Sequence, residues 1–354
     1  MFKNPLYIFG IVFLVSLVIS FFLHRFFLLK SEKYKIKKAN NSAIRWRTQN
    51  KPISGGFTFY TIFIIIALAI FIYPDFDINT NKSLIAIIVA ATISFLMGLS
   101  DDIIDTSPFL KFIVQFVAAA LLINFDVYIK ISPNNLYNYS LTFFWVIGIM
   151  NSINMLDNMD SITSLIAISI LSNILISSFF VQPFNIYSTL IITGIIASLI
   201  TFIKFNWFSA KMYMGDNGSQ FLGIILASLG IIYIWNSNVT NTYGYNSQQF
   251  IAVIMAFIIP LTDTTTVTIN RLLKGKSPFV GGKDHTTHFL TYRGLNEKKA
   301  VLLLFAISVI FNVLSIYTIN FIDKFSDLYF YIFGFSSLLI FLLLYLNTKI
   351  TKEK

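Results

Sequence analysis

Eleven apolar stretches, each near the length of a bilayer-crossing helix, leave this chain little choice of fold. A helix needs about 20 mostly apolar residues to cross the hydrocarbon core, within a range of about 17 to 25. Such stretches run near residues 5–24, 57–73, 83–99, 109–124, 141–156, 162–181, 186–203, 219–235, 249–269, 300–322 and 328–347. The expected fold is therefore all-α, a polytopic integral membrane protein with about eleven transmembrane helices. The fourth and fifth stretches are short and carry polar residues, so their ends are soft. The first is not read as a cleaved signal peptide, because its positive charge follows the apolar run and no small-residue cleavage site appears.

Composition supports this and narrows the chemistry. Only 12% of the 354 residues are charged, against about 25% in ordinary soluble proteins. The chain has no Cys, which excludes disulfides, thiolate metal sites and cysteine nucleophiles. Any metal would be held by carboxylate or imidazole, a donor set suited to a hard cation such as magnesium.

Lys and Arg set the expected orientation, since they concentrate on the cytoplasmic side of membrane proteins. With the amino terminus outside and the carboxyl terminus inside, 21 of the 26 basic residues fall on the cytoplasmic face. Lys3, Lys82, Lys130 and Lys324 fall outside, and Lys111 lies within a predicted helix. The formal charge of +10 is thus mostly an inside-facing bias, and nucleic acid is not needed as a partner to explain it. No internal repeat or separate soluble domain is visible. Residues 1–354 read as one transmembrane domain with cytoplasmic loops near 25–56, 100–108, 157–161, 204–218 and 270–299.

Four polar stretches interrupt the apolar pattern, all at cytoplasmic helix ends. "GLSDDIID" carries Asp101, Asp102 and Asp105, with Asp101 and Asp105 on one face if the helix continues. Charge at a membrane edge is costly unless it meets a cation or polar ligand, so this cluster is a site candidate. "NSINMLDNMDSI" repeats Asn151, Asn154, Asp157 and Asp160 every third residue. Capping of the next helix by Asp157 or Ser161 would explain one of these residues but not all four. "AKMYMGDNGSQ" places Asp216 between Gly215 and Gly218 ahead of an apolar helix, a setting suited to phosphate and metal. "GGKDHTTHFLTYRGL" gathers Lys283, Asp284, His285, His288 and Arg293, groups able to contact phosphate or move protons.

Together with "KPISGG" at 51–56 and "PFLKFIVQ" at 108–115, these stretches resemble, in order, the polyprenyl-phosphate N-acetylhexosamine-1-phosphate transferase superfamily. The resemblance implies that Asp216 leads the ligands of Mg2+, with Mn2+ as a substitute, joined by Asp101 and Asp102. That Asp pair is assigned in the family to the metal or to deprotonation of the lipid phosphate. It also implies that Asn154, Asp157 and Asp160, with Asn151 in the same run, line the nucleotide-sugar pocket. Asn206 and Tyr213 would meet the uridine, Lys111 the transferred phosphates, and His285, His288 and Lys283 the phosphate groups. The family's histidine motif has a further His where this chain has Thr287, which favours the GlcNAc type over phospho-N-acetylmuramoyl-pentapeptide transferase.

The implied activity is transfer of an N-acetylhexosamine-1-phosphate, GlcNAc-1-phosphate first among them, from a UDP-sugar to undecaprenyl phosphate. UMP is released and a lipid-linked envelope glycan begins. The implied setting is a bacterial cytoplasmic membrane with the site on the cytoplasmic face, and the Phe-rich helices suit lipid or a homodimer partner. Two competing readings start from the same residues. Asp-Asp-x-x-Asp also serves magnesium-diphosphate binding in membrane prenyltransferases, but a second Asp-rich motif of that kind is missing. A cation- or proton-coupled transporter would place acids near helix middles rather than on one face.

Overall fold

The computed structural model describes residues 5–34, 51–237, 247–278, 281–322 and 326–351, with side chains of 5, 6 and 31–34 apart. Most of the basic run in the first long loop, 35–50, and Lys3, Lys324, Lys352 and Lys354 lie outside them. The helices are α1 (Pro5–Tyr34), α2 (Gly55–Ile72), α3 (Lys82–Ile104), α4 (Pro108–Asn124), α5 (Asn135–Leu156), α6 (Ile162–Ser178) and α7 (Ile186–Asn206). They continue with α8 (Asp216–Gly230, extended by a π-helical turn, Ile231–Trp235), α9 (Ser247–Ala256), α10 (Ile258–Leu273), α11 (Thr286–Tyr292), α12 (Glu297–Phe321) and α13 (Asp327–Ile350). No strand occurs among the described residues, where the one β-type pairing is an isolated parallel bridge between Ile53 and Tyr213.

All eleven apolar stretches are helical, and the protein is a multi-pass membrane protein. Among the described residues eight helices are long and apolar enough to cross a bilayer, the pair α9 and α10 forms a ninth candidate bent by 77°, and α4 and α6 are shorter apolar helices. The bend has a local cause. Pro260 has no N–H to give the carbonyl of Ala256 one turn earlier, and Asn312 of α12 donates its Nδ2 to that carbonyl at 3.2 Å instead. Ser315 adds a bond to the carbonyl of Ala252 at 2.8 Å. Backbone polar groups freed inside a membrane protein need such partners.

Helix α8 with its π turn is the hub, 94% buried against 17% for the peripheral α13. Helices in lipid gain little from apolar burial against one another, so close approach over small residues does the work. A Cβ on Gly98 of α3 would overlap the backbone of Asp216, and one on Gly223 of α8 would come within 2.7 Å of Met150 Cα on α5. These contacts bring the ends of α3, α4, α5, α7 and α8 together at one end of the bundle, where the polar stretches meet.

Candidate active site

Helix α3 runs on to Ile104, past the predicted end at 99, and carries two of the three acids on its last turn. Asp101 Oδ1 accepts from Thr106 N at 2.9 Å and Thr106 Oγ1 at 2.7 Å, closing the loop that follows. Asp105 does not share its face. The chain turns left-handed there, with φ of 52°, and the side chain is exposed. The expected Asp101–Asp105 pair is therefore replaced by a pair across helices.

That pair is Asp101 with Asp216, and Lys111 on the first turn of α4 joins them. Lys111 Nζ forms an ion pair with Asp101 Oδ2 and lies 3.6 Å from Asp216 Oδ2. Ser107 and Pro108 set up this turn: the Ser107 hydroxyl accepts from Leu110 N at 3.3 Å and proline occupies the first helical position. The Lys111 and Asp216 side chains are 25% and 28% exposed while Asp101 is 3% exposed, so the cluster opens on the Lys111–Asp216 side. On α5, Asn154 donates Nδ2 to Asp216 Oδ1 at 3.1 Å and to Ser219 Oγ at 2.9 Å. Four of the residues singled out from sequence thus meet around the start of α8.

Asp102 faces the same helix end but has another task. Its Oδ1 accepts from Asp216 N at 3.0 Å, and its Oδ2 accepts from Asn217 N at 3.0 Å and Asn217 Nδ2 at 2.6 Å. A carboxylate here satisfies donors that a helix leaves open and sits at the positive end of its dipole. Both oxygens serve the start of α8, so of the three acids expected to hold a metal, Asp102 fastens α3 to α8 while Asp101 and Asp216 face each other across Lys111. Among the described residues no group of three or more His, Asp or Glu is arranged as a metal cage.

The Gly-Asp loop is clamped from its other side by "KPISGG". Tyr213 donates its N–H to Pro52 O at 2.9 Å, Tyr213 O accepts from Gly55 N at 3.0 Å, and Met214 O accepts from Gly56 N at 3.0 Å. A side chain at Gly56 would collide with Asn217 and Gly218. Tyr213 itself is buried, so it belongs to the floor of this loop.

The Asn/Asp run does not act as one face, because α5 stops at Leu156. Asn151 exchanges two bonds with Gln115 of α4, at 3.0 and 3.2 Å, and Gln115 also reaches Gln220 of α8 at 3.1 Å. Asp157 caps the end of α5, 3.5 Å from Thr163 Oγ1. Asp160 accepts from Ala210 N at 2.9 Å. Asn206 is buried with both ends of its amide in use: Oδ1 accepts from Ser161 N and Nδ2 donates to Met212 O, each at 2.7 Å. It staples the turn after α5 to the loop after α7. Ser161 starts α6 without a side-chain cap, its hydroxyl donating to Asn206 O at 2.8 Å.

The histidine loop docks on this run through Thr287 and on α10 through Asp263, which sequence reasoning passed over. Thr287 Oγ1 donates to Asn158 Oδ1 at 2.7 Å. Asp263, buried on α10, takes His285 Nδ1 at 2.8 Å and Thr286 through both N–H and O–H, at 2.8 and 2.7 Å. The signal for Asp263 was present in "PLTDTTT", an acid within an apolar stretch. Arg271 grips Asp284 with two bonds, at 2.7 and 2.6 Å. Burial pushes the Asp284 carboxyl up, but the Arg271 guanidinium outweighs it and holds the group below the ordinary carboxylate range. Burial, helped by the neighbouring His285, pushes His288 down to about 3. Lys283 stands exposed at the rim, and Arg293 donates to Asn347 of α13 at 3.2 Å.

Residues 84–234 match the family model described as Glycosyl transferase family 4. Over 277 residues the chain is 28% identical to a probable undecaprenyl-phosphate N-acetylglucosaminyl 1-phosphate transferase of Bacillus subtilis (strain 168), covering 75% of this chain and 72% of that one. It is 25% identical over 286 residues to decaprenyl-phosphate N-acetylglucosaminephosphotransferase of Mycolicibacterium smegmatis, covering 73% and 69%. It is 26% identical over 223 residues to the undecaprenyl-phosphate alpha-N-acetylglucosaminyl 1-phosphate transferase of Thermotoga maritima, covering 63% and 66%. The family match spans the first three polar stretches in order, and the chain is similar to these polyprenyl-phosphate N-acetylglucosamine phosphate transferases over most of its length.

Proposed function

We propose that the protein transfers GlcNAc-1-phosphate from UDP-GlcNAc to undecaprenyl phosphate on the cytoplasmic face of a bacterial membrane. The observation that carries this reading is the convergence of Asp101, Lys111, Asn154 and Asp216 at the amino end of a buried helix. A phosphate oxygen of the lipid attacks the β-phosphorus of the UDP-sugar, a new phosphoanhydride forms, and the bond to the α-phosphate breaks to release UMP. Two anions must meet for this to happen, so the site has to supply positive charge.

Lys111 supplies one such charge. Two carboxylates facing one another across a movable lysine suit a hard divalent ion that keeps waters and substrate phosphates as its other ligands, and Asp216 and Asp101 are the residues that would hold Mg2+ once Lys111 turns to the phosphates. When bound, it would neutralise phosphate charge and align the in-line displacement. Asn154 holds the Asp216 carboxylate in place from α5. The second ionisation of a phosphate monoester lies near pH 6, so the nucleophile is already largely charged at neutral pH and needs no strong base.

The test is UMP release by purified protein in detergent with undecaprenyl phosphate, Mg2+ and a panel of UDP-sugars, with Asp216→Ala as the blank. Release with UDP-GlcNAc that needs both the metal and Asp216 supports the proposal. Release only with a different UDP-hexosamine corrects the sugar, and none with any sugar from folded protein overturns the activity.

A further inference from the structure

Asp263 lies on α10 beyond the bend at Phe257, 1% exposed, and its carboxylate hydrogen-bonds to the turn that begins α11. Oδ1 takes the N–H and the hydroxyl of Thr286, while Oδ2 faces His285 Nδ1 at 2.8 Å. An ionised carboxylate only accepts, so Nδ1 is the donating end of the ring and Nε2 is left to meet a ligand. The same turn is fixed to the Asn/Asp run by Thr287 and Asn158. Helix α5, which bears Asn154, abuts α10 through Ser152 Oγ, 2.7 Å from both Pro260 O and Thr264 Oγ1. His285 is therefore held from two sides relative to the residues around Asp216.

We infer that Asp263 is a positioning residue that fixes His285 with its proton on Nδ1 and presents Nε2 to a phosphate group of the substrate. A carboxylate behind an imidazole sets both its tautomer and its orientation. When the ring is charged, both nitrogens donate, Nδ1 to Asp263 and Nε2 to a phosphate oxygen. Thr286 locks the carboxylate from its other oxygen with two bonds, so the acceptor cannot follow the ring and any swing breaks the Nδ1 bond. The part of this inference that concerns phosphate rests on the transferase reading, and the tether does not.

Two measurements separate them. The chain has only three His, so 15N-histidine labelling of the detergent-solubilised protein gives a spectrum that His285→Gln assigns. The expected result is a proton on Nδ1 of His285, with its signal displaced in Asp263→Asn. An Nδ1 without a proton in the wild type overturns the tether, whatever the activity and whether or not Asp263→Asn folds. In the UMP assay, Asp263→Asn is expected to lose about 10- to 100-fold in kcat/KM, the range for groups that orient a functional ligand. Asp263→Asn combined with His285→Gln should then be no slower than His285→Gln alone. A double variant slowed by the product of the two single effects overturns the positioning role. If the wild type releases no UMP with any UDP-sugar, the transferase reading and the phosphate contact fall together, and the 15N spectrum decides the tether.

Discussion

Asp102 and Asn217 are joined twice, the carboxylate Oδ2 accepting both the backbone N–H and the side-chain amide of Asn217. This makes Asp102 a clasp between α3 and α8 at the point where Asp216 begins its helix. Removing one partner of a buried hydrogen-bonded group costs about 1–3 kcal/mol, and here two backbone N–H groups would lose their acceptor. Asp102→Ala should therefore lower the thermal midpoint in detergent more than Asp101→Ala does, and lose activity with it. A midpoint equal to the wild type would assign Asp102 to chemistry rather than to the clasp.

Asp101 and Asp216 differ in a way that ranks their variants. Asp216 is bonded by Asn154 and starts the buried helix, whereas Asp101 spends one oxygen on Thr106 and the other on Lys111. Asp101→Asn keeps an acceptor for Thr106 and should retain measurable UMP release. Asp216→Ala should abolish it. Equal and complete loss in both, with protein of native thermal stability, would sink the ranking.

Much of this was legible before any coordinates, for reasons that particular residues show. A long apolar run in lipid has no stable alternative to a helix, which is why all eleven stretches are helical. Helix ends were less legible where polar side chains find partners outside their own helix. Asn138 lets α5 begin at 135 by bonding the backbone of Ile131 and Ser132, and Asp102 extends α3 by capping α8. The bend at Phe257 needs Pro260 and the Asn312 amide together, a pairing of positions 52 apart. Asn206 shows the same limit at the site, since its sequence context does not reveal that Ser161 and Met212 consume its amide.

Lys111 occupies the space between Asp101 and Asp216 that a divalent ion would share. Its positive charge disfavours a cation in the absence of substrate phosphates. Lys111→Met should therefore bind Mn2+ more tightly than the wild type when no substrate is present, read by electron paramagnetic resonance, while releasing UMP far more slowly. Weaker Mn2+ binding in the variant would mean that Lys111 organises the carboxylates instead of competing for them.

Acid should destabilise the histidine loop over a defined range. His288 titrates at about 3 in the folded protein, against an ordinary 6.5. Between those values the unfolded chain binds a proton that the folded one excludes, so folding stability falls as pH drops below 6.5. Asp284, held below its ordinary value by Arg271, contributes stability that is present above about 4 and is lost only at lower pH. His288 should therefore contribute to the drop in thermal midpoint between pH 7.5 and 5, and Asp284 should not. His288→Gln, compared with the wild type in the same detergent, should show a shallower drop across this interval, while Asp284→Asn should lower the midpoint at both pH values alike. An unchanged slope in His288→Gln would remove the buried neutral imidazole as the cause.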